Sequence, residues 1–396
     1  MRIKYVFFLI IIMIIGCKNE ENANLHLSEP VLDQNYDEII EIPDIIDPYR
    51  IIAAEIASLM DDRLLASQVL MSGIDGNSAI PPHMANLLKT SPVGGIMLFR
   101  YNLNVSNDAI RSHMSELTDL ITKESGVPPF ISVDHEGGLV NRFNRGVAQL
   151  PSAPSYWRMF QEKGWYPTLA KVEEDSLNAA RELSDLGINM NLAPIAEYLI
   201  EENKAFLGIR SYGPNPFFTA HAALAFMNGM NQAGVLCVVK HFPGNAGADP
   251  HYHPSVLNMS KDALNFMVSP FSLLIKNGAR AIMITHTLVP AIDSIVASLS
   301  PVVMRNWLRD ELGFDGIIIG DDYTMASAGS LGSVNAAINS IAAGADMILV
   351  WQHELSKMYN AVTAAMKDGI LTRERMEEAA ARIIYEKLRM GLMKLP

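Results

Sequence analysis

Eight short apolar runs, spread along the chain and each broken off by polar residues, constrain this sequence more than any other feature. They are 68-QVLMSGI-74, 94-GGIMLFR-100, 130-FISVDHE-136, 188-INMNLAPIAE-197, 235-VLCVVKH-241, 280-RAIMITH-286, 316-GIIIGDD-322 and 346-DMILVWQ-352. Continuous Val, Ile, Leu and Met, without alternation, is what a strand buried on both faces of a parallel sheet requires. Helical patterns fill the intervals, as in 301-PVVMRNWLRDEL-312. The final one, 372–391, sets Met376, Ala380, Ile383, Ile384 and Leu388 on one face, with Thr372 placed to cap its start and Gly391 its end. Eight β-then-α units predict an α/β chain folded as a TIM (β/α)8-type barrel, a single domain with loop insertions. At 396 residues the chain is longer than most such barrels, and the insertions are expected chiefly at 137–186 and 198–234. A doubly wound open sheet is the alternative; no Gly-rich dinucleotide fingerprint supports it.

The N-terminus reads differently. In MRIKYVFFLIIIMIIGCKNEEN, basic residues at 2 and 4 precede an apolar run from Val6 to Ile15, too short to span a bilayer comfortably. Ile14-Ile15-Gly16-Cys17 resembles the lipobox of bacterial lipoproteins, in which the cysteine is acylated and becomes the new N-terminus. The expected organisation is a signal peptide over 1–16, a flexible acidic tether over 17–48 beginning at the lipidated Cys17, and the barrel over 49–396. That predicts an exported, membrane-anchored protein of the cell envelope; a plain cleaved signal or a short anchor is the alternative. Cys237, the other cysteine, sits in an apolar run and reads as a buried core thiol. A net charge of −12 and no basic stripe argue against a nucleic-acid partner.

In a barrel, chemistry gathers where strands end, and the polar residues stranded there are Arg100, Asp134, Glu136, Lys240, His241, His286, Asp321 and Asp322. The stretch 238-VVKHFPGNAGADPHYHPSV-256 adds His251 and His253 to this set. Pro250 biases Asp249 toward extended geometry, and an extended 249–251 would let the Asp249 and His251 side chains meet on one side. A carboxylate on one ring nitrogen sets the tautomer of a general acid/base histidine. Two other readings stand beside this one: a metal site using His251-x-His253 with Asp249 or His241, and a structural turn.

These residues lie in motifs that resemble family 3 glycoside hydrolases, specifically the β-N-acetylglucosaminidase branch. The run 240-KHFPGNAGADPH-251 is similar to its signature loop, and 133-VDHEGGLVNRF-143 to its D-x-E-G-G-x-V-x-R-F. Further matches are 150-LPSA-153, 189-NMNLAP-194, 210-RSYG-213 and 299-LSPVVMRNWLRDELGFDGIIIGDDYTM-325, so the likeness runs from about 55 to 392. The resemblance implies a retaining hydrolysis through a covalent glycosyl-enzyme on Asp321, with His251 and Asp249 as the acid/base pair. It implies that Asp134, Arg142, Arg210, Lys240 and His241 grip the sugar hydroxyls. Asp322 then supports its neighbour, Glu136 orients its loop, His286 is a hydrogen-bonded core histidine, and His253 is structural. No cofactor or metal is implied, since an ionised nucleophile and a proton shuttle suffice. The implied partner is a β-N-acetylglucosaminide oligosaccharide or muropeptide.

Departures from the pattern are a shorter loop between Gly244 and Asp249, Asn245 in place of a common histidine, and Leu139 where an arginine is frequent. The first bears on the reach of the His251 loop and the last on the outer pocket. Two rival functions follow: a β-N-acetylglucosaminide phosphorylase, because a histidine does not repel an anionic acceptor, and an inactive sugar-binding lipoprotein.

Overall fold

A computed structural model describes residues 47–144, 146–247, 249–325 and 332–394. The expected signal peptide, Cys17 and nearly all of the tether lie outside the described residues. Among those described, no helix is long and apolar enough to cross a membrane.

All eight expected strands are present, and all but β5 are shorter than their apolar runs: β1 Leu70–Gly73, β2 Gly95–Leu98, β3 Phe130–Val133, β4 Met190–Asn191, β5 Leu236–Phe242, β6 Ala281–Ile284, β7 Ile317–Gly320 and β8 Met347–Val350. They close a barrel in sequence order. Every neighbouring pair is parallel, and β1 completes the ring against β8 with Met71 opposite Leu349.

Successive side chains of a strand point to opposite faces, and here both faces are dry. Met71, Met97, Phe130, Met190, Leu236, Val238, Ala281, Met283, Ile317, Ile319 and Met347 fill the barrel interior. Their neighbours Leu70, Ile96, Leu98, Ile131, Val133, Val239, Ile282, Ile284, Ile318 and Ile348 pack outward against the helices. This double burial is why the runs carry no alternation. Five of the interior side chains are methionines, unbranched and able to fill an irregular space.

The closing helix, Arg373–Arg389, begins at Thr372, whose hydroxyl accepts from the Arg375 amide. Its apolar face seals the end of the barrel where the strands start. Ile383 joins the interior cluster. Lys387, fully buried, reaches Gln68 Oε1 at 2.9 Å and lies 5.0 Å from the centre of the Phe130 ring.

The long intervals expected as loop insertions are mostly helical. The first holds helices Ala153–Lys163 and Trp165–Asp185, and the second holds Pro216–Gln232. The segment 301–312 is helical as expected, but wound with π-type hydrogen bonds over Val302–Glu311.

Candidate active site

At the strand-end mouth of the barrel lies a cavity of about 340 Å³, lined among others by Asp134, Arg142, Arg210, Lys240, His241, His251 and Asp321. Seven of the eight residues marked out for chemistry in the sequence therefore border one space. The eighth, Asp249, stands behind His251.

Its floor is a buried charge cluster. The Lys240 ammonium is 2.7 Å from Asp134 Oδ1 and 2.6 Å from Glu136 Oε1. Arg142 donates to Asp134 Oδ2 at 2.8 Å, and Arg210 meets Glu136 through two nitrogens, at 2.8 and 2.9 Å. Burial alone would push the Asp134 carboxyl up; the Lys240 and Arg142 cations outweigh it and hold Asp134 well below the usual carboxylate range. Glu136 is held down in the same way by Lys240 and Arg210. Reciprocally, burial would lower the Lys240 ammonium, but Asp134 and Glu136 keep it above its ordinary value. Asp134 thus stays an acceptor, ready for hydroxyl groups. The Glu136 carboxylate is engaged by Lys240 and Arg210, so what it fixes is the direction of those two cations.

Backbone geometry brings this cluster together. Gly137, at φ 108°, turns the chain sharply after β3, where any Cβ would collide with the Pro151 carbonyl. The turn swings Arg142 back over Asp134. The intervening His135 is wholly buried, with Nε2 3.0 Å from the Ala148 carbonyl, and burial lowers its pKa to about 4.

Asp321 follows Gly320, the last residue of β7, whose missing side chain makes room for the Tyr323 ring. It is half-buried, and its Oδ1 accepts from the Asp322 amide at 2.8 Å. Asp322 is held by Thr324 through Oδ1 and by the Trp351 indole N–H, 2.9 Å from Oδ2. Trp351 in turn stacks on Phe99 with ring centres 5.0 Å apart, and both line the cavity.

The His251 loop corrects one expectation. Residues 249–251 are not extended but form a turn: Asp249 Oδ1 accepts both the His251 amide at 3.0 Å and its ring Nδ1 at 2.6 Å. The Asp249 carbonyl also accepts from the amides of Tyr252 and His253. A short aspartate side chain bonding two residues on is a familiar turn device, and it unites the pair more tightly than an extended chain would. Burial alone would raise the Asp249 carboxyl, but these bonds to His251 together outweigh it and leave Asp249 below its ordinary value. The Nδ1 contact leaves Nε2 as the ring nitrogen for a ligand.

Other strand-end residues do not join the cavity. Arg100 donates to the Asn141 carbonyl. His286 is buried between Ser298 Oγ at 2.6 Å and the Asp322 carbonyl at 2.9 Å. Leu139 is 73% exposed, and its neighbour Val140 is the one that lines the pocket. Cys237 is buried, and burial pushes its thiol up. Among the described residues, no three His, Cys, Asp or Glu side chains are grouped to hold a metal ion. The sequence reading passed over Glu197, a buried carboxylate 2.7 Å from His241 Nδ1. The signal available was an acidic residue ending an otherwise apolar stretch.

Fold and site together define a (β/α)8 barrel in which a hydrogen-bonded His–Asp pair, a carboxylate and a buried charge cluster converge on one pocket at the strand-end mouth. Residues 63–385 match the glycosyl hydrolase family 3 N terminal domain, and the chain belongs to that family; it is a glycoside hydrolase. A protein named Beta-hexosaminidase from Methylococcus capsulatus is 34% identical over 261 residues, which cover 65% of this chain and 75% of that one. A glycoside hydrolase family 3 beta-N-acetylglucosaminidase from a Paenibacillus species matches the fold with a TM-score of 0.78 at 28% identity; the match covers 85% of this chain and only 65% of that longer one. NagZ from Neisseria gonorrhoeae, solved with N-trifluoroacetyl-D-glucosamine, gives a TM-score of 0.67 at 27% identity, covering 80% of this chain and 89% of that one.

Proposed function

We propose that this protein is a retaining glycosidase that removes terminal, non-reducing β-linked N-acetylglucosamine from oligosaccharides or cell-wall fragments. The observation that carries the reading is the Asp249–His251 pair, 2.6 Å apart, with His251 on the rim of the cavity that Asp321 lines. The names of the relatives supply the sugar. In the first step the Asp321 carboxylate attacks the anomeric carbon as the glycosidic C–O bond breaks, and protonated His251 gives its Nε2 proton to the leaving oxygen. Asp249 stabilises the imidazolium and fixes the ring. In the second step His251 takes a proton from water, which attacks the glycosyl-enzyme and releases the sugar and Asp321. Asp134, Arg142, Arg210, Lys240 and His241 hold the sugar hydroxyls throughout. We further propose that the enzyme is an exported lipoprotein held at a membrane through Cys17; Cys17→Ser should move it from the membrane to the soluble fraction.

The test is release of nitrophenol from 4-nitrophenyl N-acetyl-β-glucosaminide by wild type, Asp321→Ala and His251→Ala, with and without phosphate. Turnover abolished by the first variant and slowed by the second supports the mechanism. Phosphate acceleration with a sugar 1-phosphate product would make the enzyme a phosphorylase. No turnover by folded wild type would overturn the substrate assignment.

A further inference from the structure

We propose that Glu197 is a positioning residue that holds both halves of the site from one carboxylate: the His241 ring and the base of the loop carrying Asp249 and His251. The inference rests on the functional reading above for the roles of those two groups, but not for the contacts.

Glu197 reaches its place because the chain beyond β4 runs on beside β5. The Lys240 amide donates to the Pro194 carbonyl at 3.0 Å, and the Ala196 amide to the Lys240 carbonyl at 2.7 Å. This lays Glu197 against His241, where it is 1% exposed and outside the cavity lining. Its two oxygens meet four N–H donors. Oε1 accepts from His241 Nδ1 at 2.7 Å, the His241 amide at 3.2 Å and Asn245 Nδ2 at 3.1 Å. Oε2 accepts from the Asn245 amide at 2.6 Å. A carboxylate accepts on both oxygens and donates on neither, so only an acid fits a ring of four donors. The Nδ1 bond sets the tautomer and ring angle of His241, whose remaining edge borders the cavity.

Asn245 carries the effect outward. Its Oδ1 accepts from Thr285 Oγ1 at 2.6 Å, just beyond β6. The next amide, Ala246, donates to Ser255 Oγ at 2.9 Å, and Ser255 Oγ lies 2.8 Å from Thr287 Oγ1. Both ends of the excursion that presents Asp249 and His251 are therefore fastened to the same strand end, and Glu197 holds the first of these posts. The departure at position 245 has a use here: an asparagine offers a donor to Glu197 and an acceptor to Thr285 at once.

Glu197→Gln separates the two duties. Its carbonyl oxygen can serve the three donors at the Oε1 position, which leaves its NH₂ facing the Asn245 amide, donor against donor. With ¹⁵N-histidine-labelled full chain, the His241 ring signals should match wild type while those of His251 shift or broaden. kcat should fall by about 10- to 100-fold, the scale of a misplaced reacting group, with KM within about threefold. Glu197→Ala should also disturb the His241 signals and raise KM. Thr285→Val, which removes the outer post without touching Glu197, should reproduce the His251 change and the kcat loss, and it decides the matter if the Glu197 variants do not fold. Unchanged His251 signals in Glu197→Gln and Thr285→Val, or unchanged His241 signals in Glu197→Ala, would overturn the proposal. The spectra read the contacts without turnover, so an inactive wild type would defeat the functional reading and leave this test standing.

Discussion

Removing the Lys240 ammonium probes the cluster that holds the floor of the pocket. Lys240 is 3% exposed and touches two carboxylates, at 2.7 and 2.6 Å. Lys240→Met keeps the unbranched stem, one atom shorter, and deletes its charge, leaving Asp134 and Glu136 side by side with one guanidinium each. Breaking a buried ion pair from one side costs about 3–5 kcal/mol, because the remaining charge stays desolvated. The pH dependence has a definite sign. Asp134 and Glu136 sit below their ordinary pKa values in the folded protein. Wild type thus draws stability from them above the unfolded carboxyl range and loses it as pH falls below that range toward the lower folded values. Without Lys240, one carboxyl of the pair gains affinity for a proton, and protonation relieves the repulsion. The deficit of the variant against wild type should be largest at neutral pH and shrink toward pH 5, by up to ~1.4 kcal/mol for each unit over which a proton is taken up. Urea unfolding of both proteins at several pH values measures this through the midpoint at constant slope. A deficit below about 1 kcal/mol at pH 7.5, or one that widens as pH falls, would refute the picture of two carboxylates sharing one buried cation.

Three further changes test other parts of the structure. His135, wholly buried with its pKa near 4, binds protons more readily unfolded, so wild type should lose roughly 3 kcal/mol between pH 6.5 and 4; His135→Gln should flatten that slope in the same unfolding series. Ile383→Ala opens the sealed end of the barrel and should cost about 2–5 kcal/mol in denaturation, with kcat per folded molecule unchanged because the pocket is at the other end. Trp351→Phe keeps the stack on Phe99 but removes the 2.9 Å indole bond to Asp322, so kcat should drop several-fold, and the melting temperature should fall by a few degrees, the bond being worth about 1.5–3 kcal/mol at a charged acceptor.

Periodicity made the barrel legible, because strands buried on both faces leave unbroken apolar runs and those runs numbered eight. Strand ends then exposed the polar residues that a barrel uses, and Asp134, Lys240, His241 and Asp321 could be read from position alone. What escaped depends on contacts between distant segments. Glu197 ends a run that looks like one long strand, yet β4 covers only Met190–Asn191, and the rest turns aside to meet β5. Its partners His241 and Asn245 lie 44 and 48 residues away, beyond any local pattern. The Asp249–His251 pairing was foreseen with the wrong backbone. The restriction that proline places on its predecessor suggested an extended segment, whereas the Asp249 carboxylate captures the His251 amide and closes a turn. Trp351, at the end of the last apolar run, braces Asp322 from 29 residues away, a contact that no local pattern marks.

The most direct test of the mechanism is to trap the covalent intermediate. Incubation with a 5-fluoro N-acetylglucosaminyl fluoride, which forms the glycosyl-enzyme faster than it is hydrolysed, followed by mass spectrometry of the intact chain and its peptides, reads both the bond and its place. The mechanism predicts one added fluorinated N-acetylhexosaminyl unit on the peptide containing Asp321, and none in Asp321→Asn. A label on another side chain, or turnover that inverts the anomeric centre with no adduct, would contradict it.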